Sequence, residues 1–445
     1  MRDVSRRTFV QLGAAATAAT AVAQPTRTDA NSTLRAAVLG VNGRGKTHIS
    51  AFEKLPGVEV AVLCDPDSVV LGRRAEQFSK RYGRPVDTET DLRKVFDRQD
   101  IDVVGVATPN HWHTLATIWA CQAGKDVYVE KPGTHNVYEG RRMIEAAQKY
   151  GRIVQHGVQL RSNPELQRAV ELLREGVIGD VYLARGLVFR RRPSIGKKPD
   201  GPAPKTLDWD LWQGPAAERE FSSRLVHYNW HWHWDYGNGD VANQGVHETD
   251  MCLWGLGPGA ANAAGGSKDL GMGLPSEVSA MGGKFLWDDD KETPELLSSS
   301  FLYPEQKKMI EFSVRFWDTN DEAGVGVGNI FYGSEGYLTV KGYERFDTYL
   351  GPKGKKGPSG QSDDMVGRHF ANFIDAVRSR DASRLNAPPV TAHTSSSLAH
   401  LGNIAYRLGR RLAFDPQTET FPADAEANAL LTRAYREPYV VPQVV

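Results

Sequence analysis

From Leu34 to about residue 156, short apolar runs alternate with longer amphipathic stretches. Leu34–Gly40 reads as a buried strand, followed by a glycine turn and a helix ending near Pro56. Val58–Cys64 predicts a second strand, and a polar helix follows from about Asp67 to Tyr82. Val103–Ala107, Val127–Val129 and Ile153–Val154 predict further strands, with helices at about His113–Ala123 and Val137–Tyr150 between them. Strands that take turns with helices of about 10–15 residues imply an α/β fold with a doubly wound parallel sheet.

After residue 156 the rhythm changes. A helix at about Pro164–Glu175 leads to a strand from Val181 to Phe189, then to a Pro/Gly/Lys-rich loop from Arg190 to Lys205 and a tryptophan-dense stretch reaching Trp254. Gly255–Leu274 is Gly/Ala-rich and reads as a loop. Strand-like segments then crowd together at Ser276–Phe285, Leu296–Leu302, Met309–Phe316, Val327–Tyr332, Gly336–Val340 and Arg345–Leu350. Two helices follow, about Asp364–Ser379 and Ala392–Leu412. The pattern predicts a Rossmann domain over 34–156, an α+β domain over 157–412 on a large mixed or antiparallel sheet, and a tail over 413–445.

The 445 residues suffice for two such cores, and 54 basic residues balance 54 acidic ones. With no basic stripe or acidic tail, nucleic acid and anionic membrane are poor partners. No apolar run approaches the roughly 18 residues of a spanning helix. Cys64, Cys121 and Cys252 are odd in number and widely spaced, which argues against a disulfide framework or a thiolate zinc site. Cys64 and Cys121 lie in apolar contexts and read as core residues.

The first strand runs into Gly40-Val41-Asn42-Gly43-Arg44-Gly45. On the dinucleotide fingerprint, Gly40 makes the tight turn and Gly45 permits close helix packing, while Asn42 falls where the middle glycine usually lies. Amides at the following helix start would hold a pyrophosphate. Asp65, directly after the second strand, can accept from both ribose hydroxyls and repel a 2′-phosphate, favouring NAD; Arg73 and Arg74 leave NADP open.

Two further strand ends carry a resemblance. Val106-Ala107-Thr108-Pro109-Asn110-His111-Trp112-His113 closes one, and Val127-Tyr128-Val129-Glu130-Lys131-Pro132 closes the next. A strand, then Glu-Lys-Pro, then a helix resembles the signature of the glucose–fructose oxidoreductase/inositol dehydrogenase (Gfo/Idh/MocA) family. The similarity extends to Gly333-Ser334-Glu335-Gly336 and Asn372-Phe373. It implies NAD(P)-dependent chemistry on a hydroxyl and a cis peptide before Pro132. Thr108, Pro109, Asn110, His113, Glu130 and Lys131 thereby join Gly40, Asn42, Gly43, Arg44, Gly45 and Asp65 as candidate cofactor-binding residues. Independently of the family, a lysine at the carboxyl end of a parallel strand lies where open α/β sheets bind ligands, and its ammonium can lower a substrate hydroxyl's pKa.

In Asp240–Asp250, helical spacing would put Asn243, His247 and Asp250 on one face. The family commonly pairs an acidic residue with a histidine four positions on; here Asn243 occupies the acidic position and cannot take a proton. The expected catalytic set is therefore His247 as acid/base, Lys131 as proton relay and Asn243 as an orienting group. Between these motifs lies His227-Tyr228-Asn229-Trp230-His231-Trp232-His233-Trp234-Asp235-Tyr236, which suits a sugar ring, although aromatic packing and a metal site are alternatives. Trp234, Asp235, Tyr236, Asp250 and Arg161 are the candidate substrate-binding residues; a domain-hinge salt bridge is the other reading of Arg161. No metal site is assigned.

The N-terminus reads Ser5-Arg6-Arg7-Thr8-Phe9-Val10-Gln11-Leu12, then a diluted apolar run ending in Ala21-Val22-Ala23. This resembles a twin-arginine (Tat) signal peptide over residues 1–23, implying export of a folded protein to the periplasm or another extracytoplasmic space. Free nicotinamide cofactor is not expected there, so the cofactor would travel bound and be regenerated within the cycle. The expected function is an NAD(P)-dependent oxidoreductase acting on a sugar, cyclitol or glycoside hydroxyl. Two alternatives stay open: a redox-neutral glycoside-cleaving enzyme or epimerase, and a non-catalytic binding protein. Against cleavage, no Tyr-x-Thr-His segment like that of exported NAD-dependent glycosidases occurs. The large sheet also suggests a homo-oligomer.

Overall fold

A computed structural model describes residues 33–257 and 271–445. The twin-arginine segment, its cleavage site and most of the Gly/Ala-rich loop lie outside the described residues.

Six parallel strands form the first sheet: β1 (Leu34–Leu39), β2 (Val58–Cys64), β3 (Asp87–Glu89), β4 (Val103–Val106), β5 (Asp126–Glu130) and β6 (Val154–Gly157). Their order is β3-β2-β1-β4-β5-β6. β4 and β5 are buried throughout, as a sheet covered on both faces requires. The helices start where polar caps stand. Asp67 accepts from the amides of Val69 and Val70 to open Ser68–Tyr82, and Gly83 closes it with φ 70°. Asn136 caps Val137–Lys149 in the same way.

The second sheet has nine strands: β7 (Val181–Phe189), β8 (Glu277–Gly283), β9 (Leu296–Tyr303), β10 (Lys308–Arg315), β11 (Val327–Gly333), β12 (Gly336–Lys341), β13 (Arg345–Leu350), β14 (Lys355–Gln361) and β15 (Leu412–Ala413). The order is β14-β13-β12-β11-β7-β10-β9-β8-β15, antiparallel except for the β7–β10 pair. In β9, Leu297, Ser299, Phe301 and Tyr303 alternate inward, onto a core shared with Leu398, Leu401 and Ile404 of the helix Pro389–Leu408. The α/β plus α+β architecture expected from the sequence is present. β3, β14 and β15 were not expected: β3 and β14 are short polar edge strands and β15 has two residues, so none carries an apolar signal.

The C-terminal residues return to both faces of the first sheet. Ala36 and Val38 of β1 share a cluster with Phe370 and Phe373 of the helix Val366–Ser379, where Phe370 stacks on Tyr128 at 4.0 Å. Ala37 and Leu39 face the other way, into a cluster with Trp112, Tyr439, Val441 and Val445. Residues 439–445 are thus part of the nucleotide-domain core, whereas Phe414, Phe421 and Leu431 pack in the core of the second sheet.

Candidate active site

The glycine turn after β1 is fixed by close approaches. Gly40 has φ 79°, and a Cβ there would lie 2.6 Å from the Ala107 carbonyl oxygen. A Cβ on Gly45 would lie 2.0 Å from the Gly40 carbonyl oxygen, whereas one on Gly43 would meet nothing within 4 Å. Gly40 and Gly45 therefore shape the turn, and Gly43 opens onto the cleft that it lines. Asp65 accepts from the Val41 amide (2.9 Å) and from the Asp67 amide (3.1 Å), which sets its carboxylate at the cleft's edge. Burial raises its pKa against these two donors.

Arg74 gives its guanidinium to the carbonyls of Val41 (2.9 Å) and Asn42 (3.2 Å), and Arg73 donates to the Asn42 side chain (2.8 Å). Both arginines brace the turn. On the opposite wall, Pro109 precedes and Asn110 opens the helix Asn110–Gln122, and the Asn110 amide donates to Asn238 (3.2 Å). The His113 ring sits between the carbonyls of Thr108 (2.8 Å) and Pro132 (2.6 Å), tying two strand-end loops together. Thr108 Oγ1 is buried without a protein partner. A carboxylate for ribose, an open glycine cradle and an orphaned hydroxyl along one groove fit a bound dinucleotide.

Glu130 ends β5. Its Oε1 accepts from Arg44 Nε (2.7 Å) and contacts His48 Nε2 (3.0 Å). Burial opposes its charge, but Arg44 and His48 outweigh that and hold the carboxyl well below the usual range. The Lys131–Pro132 peptide is cis, as the resemblance implies. Lys131 Nζ donates to the Asn243 carbonyl. Burial lowers the Lys131 pKa, and Glu130 offsets part of that.

The expected continuous helix through Asn243, His247 and Asp250 is broken. One helix spans Asp240–Asn243 and the next Val246–Leu256, with Gln244 and Gly245 between them. The Asn243 side chain turns to Asp240 (2.9 Å), which Arg192 holds with two bonds of 2.8 Å, so Asn243 reaches Lys131 through its backbone. His247 is buried with its ring 5.0 Å from Tyr343 and is absent from the cleft lining. Burial, then Lys131, pushes its pKa down to about 3.

His231 lines the cleft, together with Tyr228 and Trp230. Its ring stacks on Trp230 at 3.6 Å, and its Nδ1 meets the Tyr228 carbonyl, which sets Nε2 as the acceptor. Burial lowers its pKa, as does Lys131 to a smaller degree. The aromatic run signalled this residue, but its order cannot say which ring faces the cleft. The three histidines take separate partners: His227 pairs with Asp67 (3.1 Å), His233 with Glu292 (3.1 Å), and His231 with Tyr228.

The remaining candidates fall elsewhere. Arg161 and Asp250 meet each other at 2.8 and 2.9 Å, 2% and 1% exposed, and Ser395 donates to Asp250. They join the turn after β6 to the helix Val246–Leu256, the salt-bridge arrangement, and neither is among the residues lining the cleft. Tyr236 is fully buried among Trp209, Trp212 and His111, a packing position. Trp234 and Asp235 line a second cavity.

The segment 199–236 closes over the Asp65 end. Ser68 N donates to the Thr206 carbonyl (2.8 Å) and Asp208 N to the Pro66 carbonyl (3.0 Å). Trp112 Nε1 donates to the Leu211 carbonyl (3.1 Å), and Leu211 and Trp212 line the cleft. On its outer side Asp210 takes bonds from Arg436 and from Tyr439 (2.8 Å). Sequence reading missed this strap because its contacts join residues that are distant along the chain.

Residues 34–158 match the profile of an oxidoreductase family with an NAD-binding Rossmann fold. Residues 195–261 and 362–441 match that family's C-terminal alpha/beta domain. The chain belongs to the Gfo/Idh/MocA oxidoreductase family, and its first domain is an NAD-binding Rossmann domain. A glycosyl hydrolase family 109 protein of Saccharopolyspora erythraea is 30% identical over 210 residues, 41% of this chain and 45% of that protein. The chain thus spans less than half the length of that curated relative. Two solved structures share the fold at 18% identity, each with TM-score 0.63 over 86% of this chain. One is an aldose-aldose oxidoreductase from Caulobacter crescentus, covered over 100% of its length; the other is the WlbA dehydrogenase of Bordetella pertussis in complex with NADH and UDP-GlcNAcA, covered over 99%.

Proposed function

We propose that this chain is an NAD-dependent enzyme that acts on a carbohydrate or cyclitol hydroxyl and keeps its cofactor through the cycle. The carrying observation is the strap: Thr206 and Asp208 bond to the turn beside Asp65, and Leu211 and Trp212 line the same cleft as Lys131. Bound NAD supplies the hydride acceptor and donor. Lys131, with its ammonium destabilised by burial, relays the substrate's hydroxyl proton, and the Asn243 carbonyl fixes its Nζ. His231 Nε2 accepts a substrate hydroxyl and orients it. Glu130 anchors Arg44 and His48 beneath the lysine. A leader of the Tat type over residues 1–23 fits this reading, because a protein exported folded carries its NAD with it.

The relatives named glycosyl hydrolase family 109 favour a second reading, redox-neutral cleavage of a glycoside. It uses the same retained cofactor and the same residues. The test is to purify the protein without added NAD and record absorbance near ~340 nm while offering sugars and aryl glycosides. Growth or bleaching of that band on a free sugar supports oxidoreduction; aglycone release without net NADH supports cleavage. A protein that arrives empty and needs free NAD for every turnover refutes retention. Lys131→Ala should keep NAD and lose turnover, and unchanged turnover would remove Lys131 from the mechanism.

A further inference from the structure

The second cavity has half-buried Trp234 and exposed Asp235 and Arg407 at its rim and His135, His400 and Asn403 as buried lining. The loop that follows Lys131 separates it from the NAD cleft: Lys131 lines one cavity and His135 the other. Its buried polar groups are incompletely paired. His135 Nδ1 contacts Arg433 (3.2 Å); because a guanidinium only donates, Nε2 carries the His135 proton, and that atom is buried without a protein partner. His400 pairs with Thr134 through Nε2 (3.1 Å) and leaves Nδ1 unmatched. Asn403 donates to the Asn238 carbonyl (2.9 Å) and leaves Oδ1 unmatched. Buried atoms of this kind are rare unless something completes them.

We infer that this cavity binds a neutral saccharide unit at a site distinct from the NAD cleft. With Arg433 Nε and Nη2, also buried and unmatched in this lining, the set mixes donors, an acceptor and a histidine nitrogen, which matches hydroxyl groups that both give and take hydrogen bonds. Arg407 lies over one side of the Trp234 ring at 5.3 Å, and the indole offers an apolar wall for sugar C–H faces. An anion would gain from Arg407 and Arg433 but would face the Asp235 carboxylate and the Asn403 amide oxygen. The inference concerns binding alone and does not rest on the reaction proposed above.

The test is calorimetric titration of the NAD-loaded protein with methyl α-D-glucopyranoside, methyl α-D-galactopyranoside and methyl β-D-glucopyranoside, followed by soaking crystals with any that binds. The expected result is a ring against Trp234 with hydroxyls at His135 and Asn403. Trp234→Ala should weaken that binding about tenfold or more at unchanged NAD content, and Lys131→Ala should leave it unaltered. Arg407→Gln, at an exposed rim position, carries the same test with an expected loss of about threefold should Trp234→Ala not fold. Ordered water as the cavity's sole content across the panel overturns the inference. So does binding of inorganic phosphate without any sugar, or sugar affinity indifferent to both rim variants.

Discussion

Replacing Arg161 by methionine should destabilise the protein without touching its chemistry. The guanidinium and the Asp250 carboxylate share two bonds of 2.8 and 2.9 Å at 2% and 1% exposure, so removing the cation strands a carboxylate beside the Ser395 hydroxyl. Breaking one side of a buried pair costs about 3–5 kcal/mol. An unfolding entropy of about 2.1 cal/mol/K per residue over roughly 410 residues gives about 0.9 kcal/mol/K, so the melting temperature should fall by roughly 3–6 °C. The double variant Arg161→Met/Asp250→Leu removes both charges and should recover most of that loss. Differential scanning calorimetry reads the shift, and steady-state kinetics on the folded fraction should show kcat and KM within about twofold of the parent. A melting temperature unchanged by Arg161→Met, together with a large rise in KM, would refute the hinge assignment and return Arg161 to the substrate.

Gly45→Ala should yield protein without NAD, because its Cβ would press into the Gly40 carbonyl at 2.0 Å; chromatographic assay of released nucleotide checks this, and a full complement of NAD would contradict it. Glu248, fully buried on the helix Val246–Leu256, has its carboxyl lifted by burial to about 8 from 4.5, so the fold favours its protonated form. Its contribution is complete below about pH 4.5 and is lost as pH rises to about 8, at most about 5 kcal/mol. Glu248→Gln should flatten melting temperature against pH across that window, and an unaltered slope would dismiss the residue. Asp210→Ala removes the bonds from Arg436 and Tyr439 to the strap, and exchange of labelled NAD should then run about tenfold faster; an unchanged rate would show that the C-terminal clasp does not restrain the strap.

The legible parts of this chain are those whose physics is local. β1, β2, β4 and β5 are apolar runs, and the turn chemistry of Gly40 and Gly45 is set within one element boundary, so strands and cradle follow from order alone. Lys131 is likewise placed by a strand end. The continuous helix through Asn243 and His247 does not form because Gln244-Gly245 interrupts it, and the interruption hands Lys131 a backbone carbonyl instead of a side chain, with Asn243 still lining the cleft. Arg161 and Asp250 needed the fold for another reason: sequence offered a salt bridge for Arg161 but could not name a partner 89 positions away. Tyr236 and Trp234 are two positions apart in an aromatic run, yet one enters the core and the other lines a cavity rim.

The strap connects these local pieces to the proposed retention of the cofactor. Its contacts join residues 66–68, 206–212 and 436–439, so the cleft is finished by residues far along the chain from the glycine turn. Those closing residues also fill the apolar cluster around Trp112, which means that the enclosure and the nucleotide-domain core are completed together. A dinucleotide that enters before this closure is held by the stability of the domain as well as by its own contacts, since its escape requires the strap to leave Pro66 and Ser68. Retention then scales with the free energy of a local opening, and a chain that folds with its cofactor before export needs no extracytoplasmic supply. That coupling makes the proposed export of a folded protein and the glycine turn, far apart in character, parts of one physical proposal.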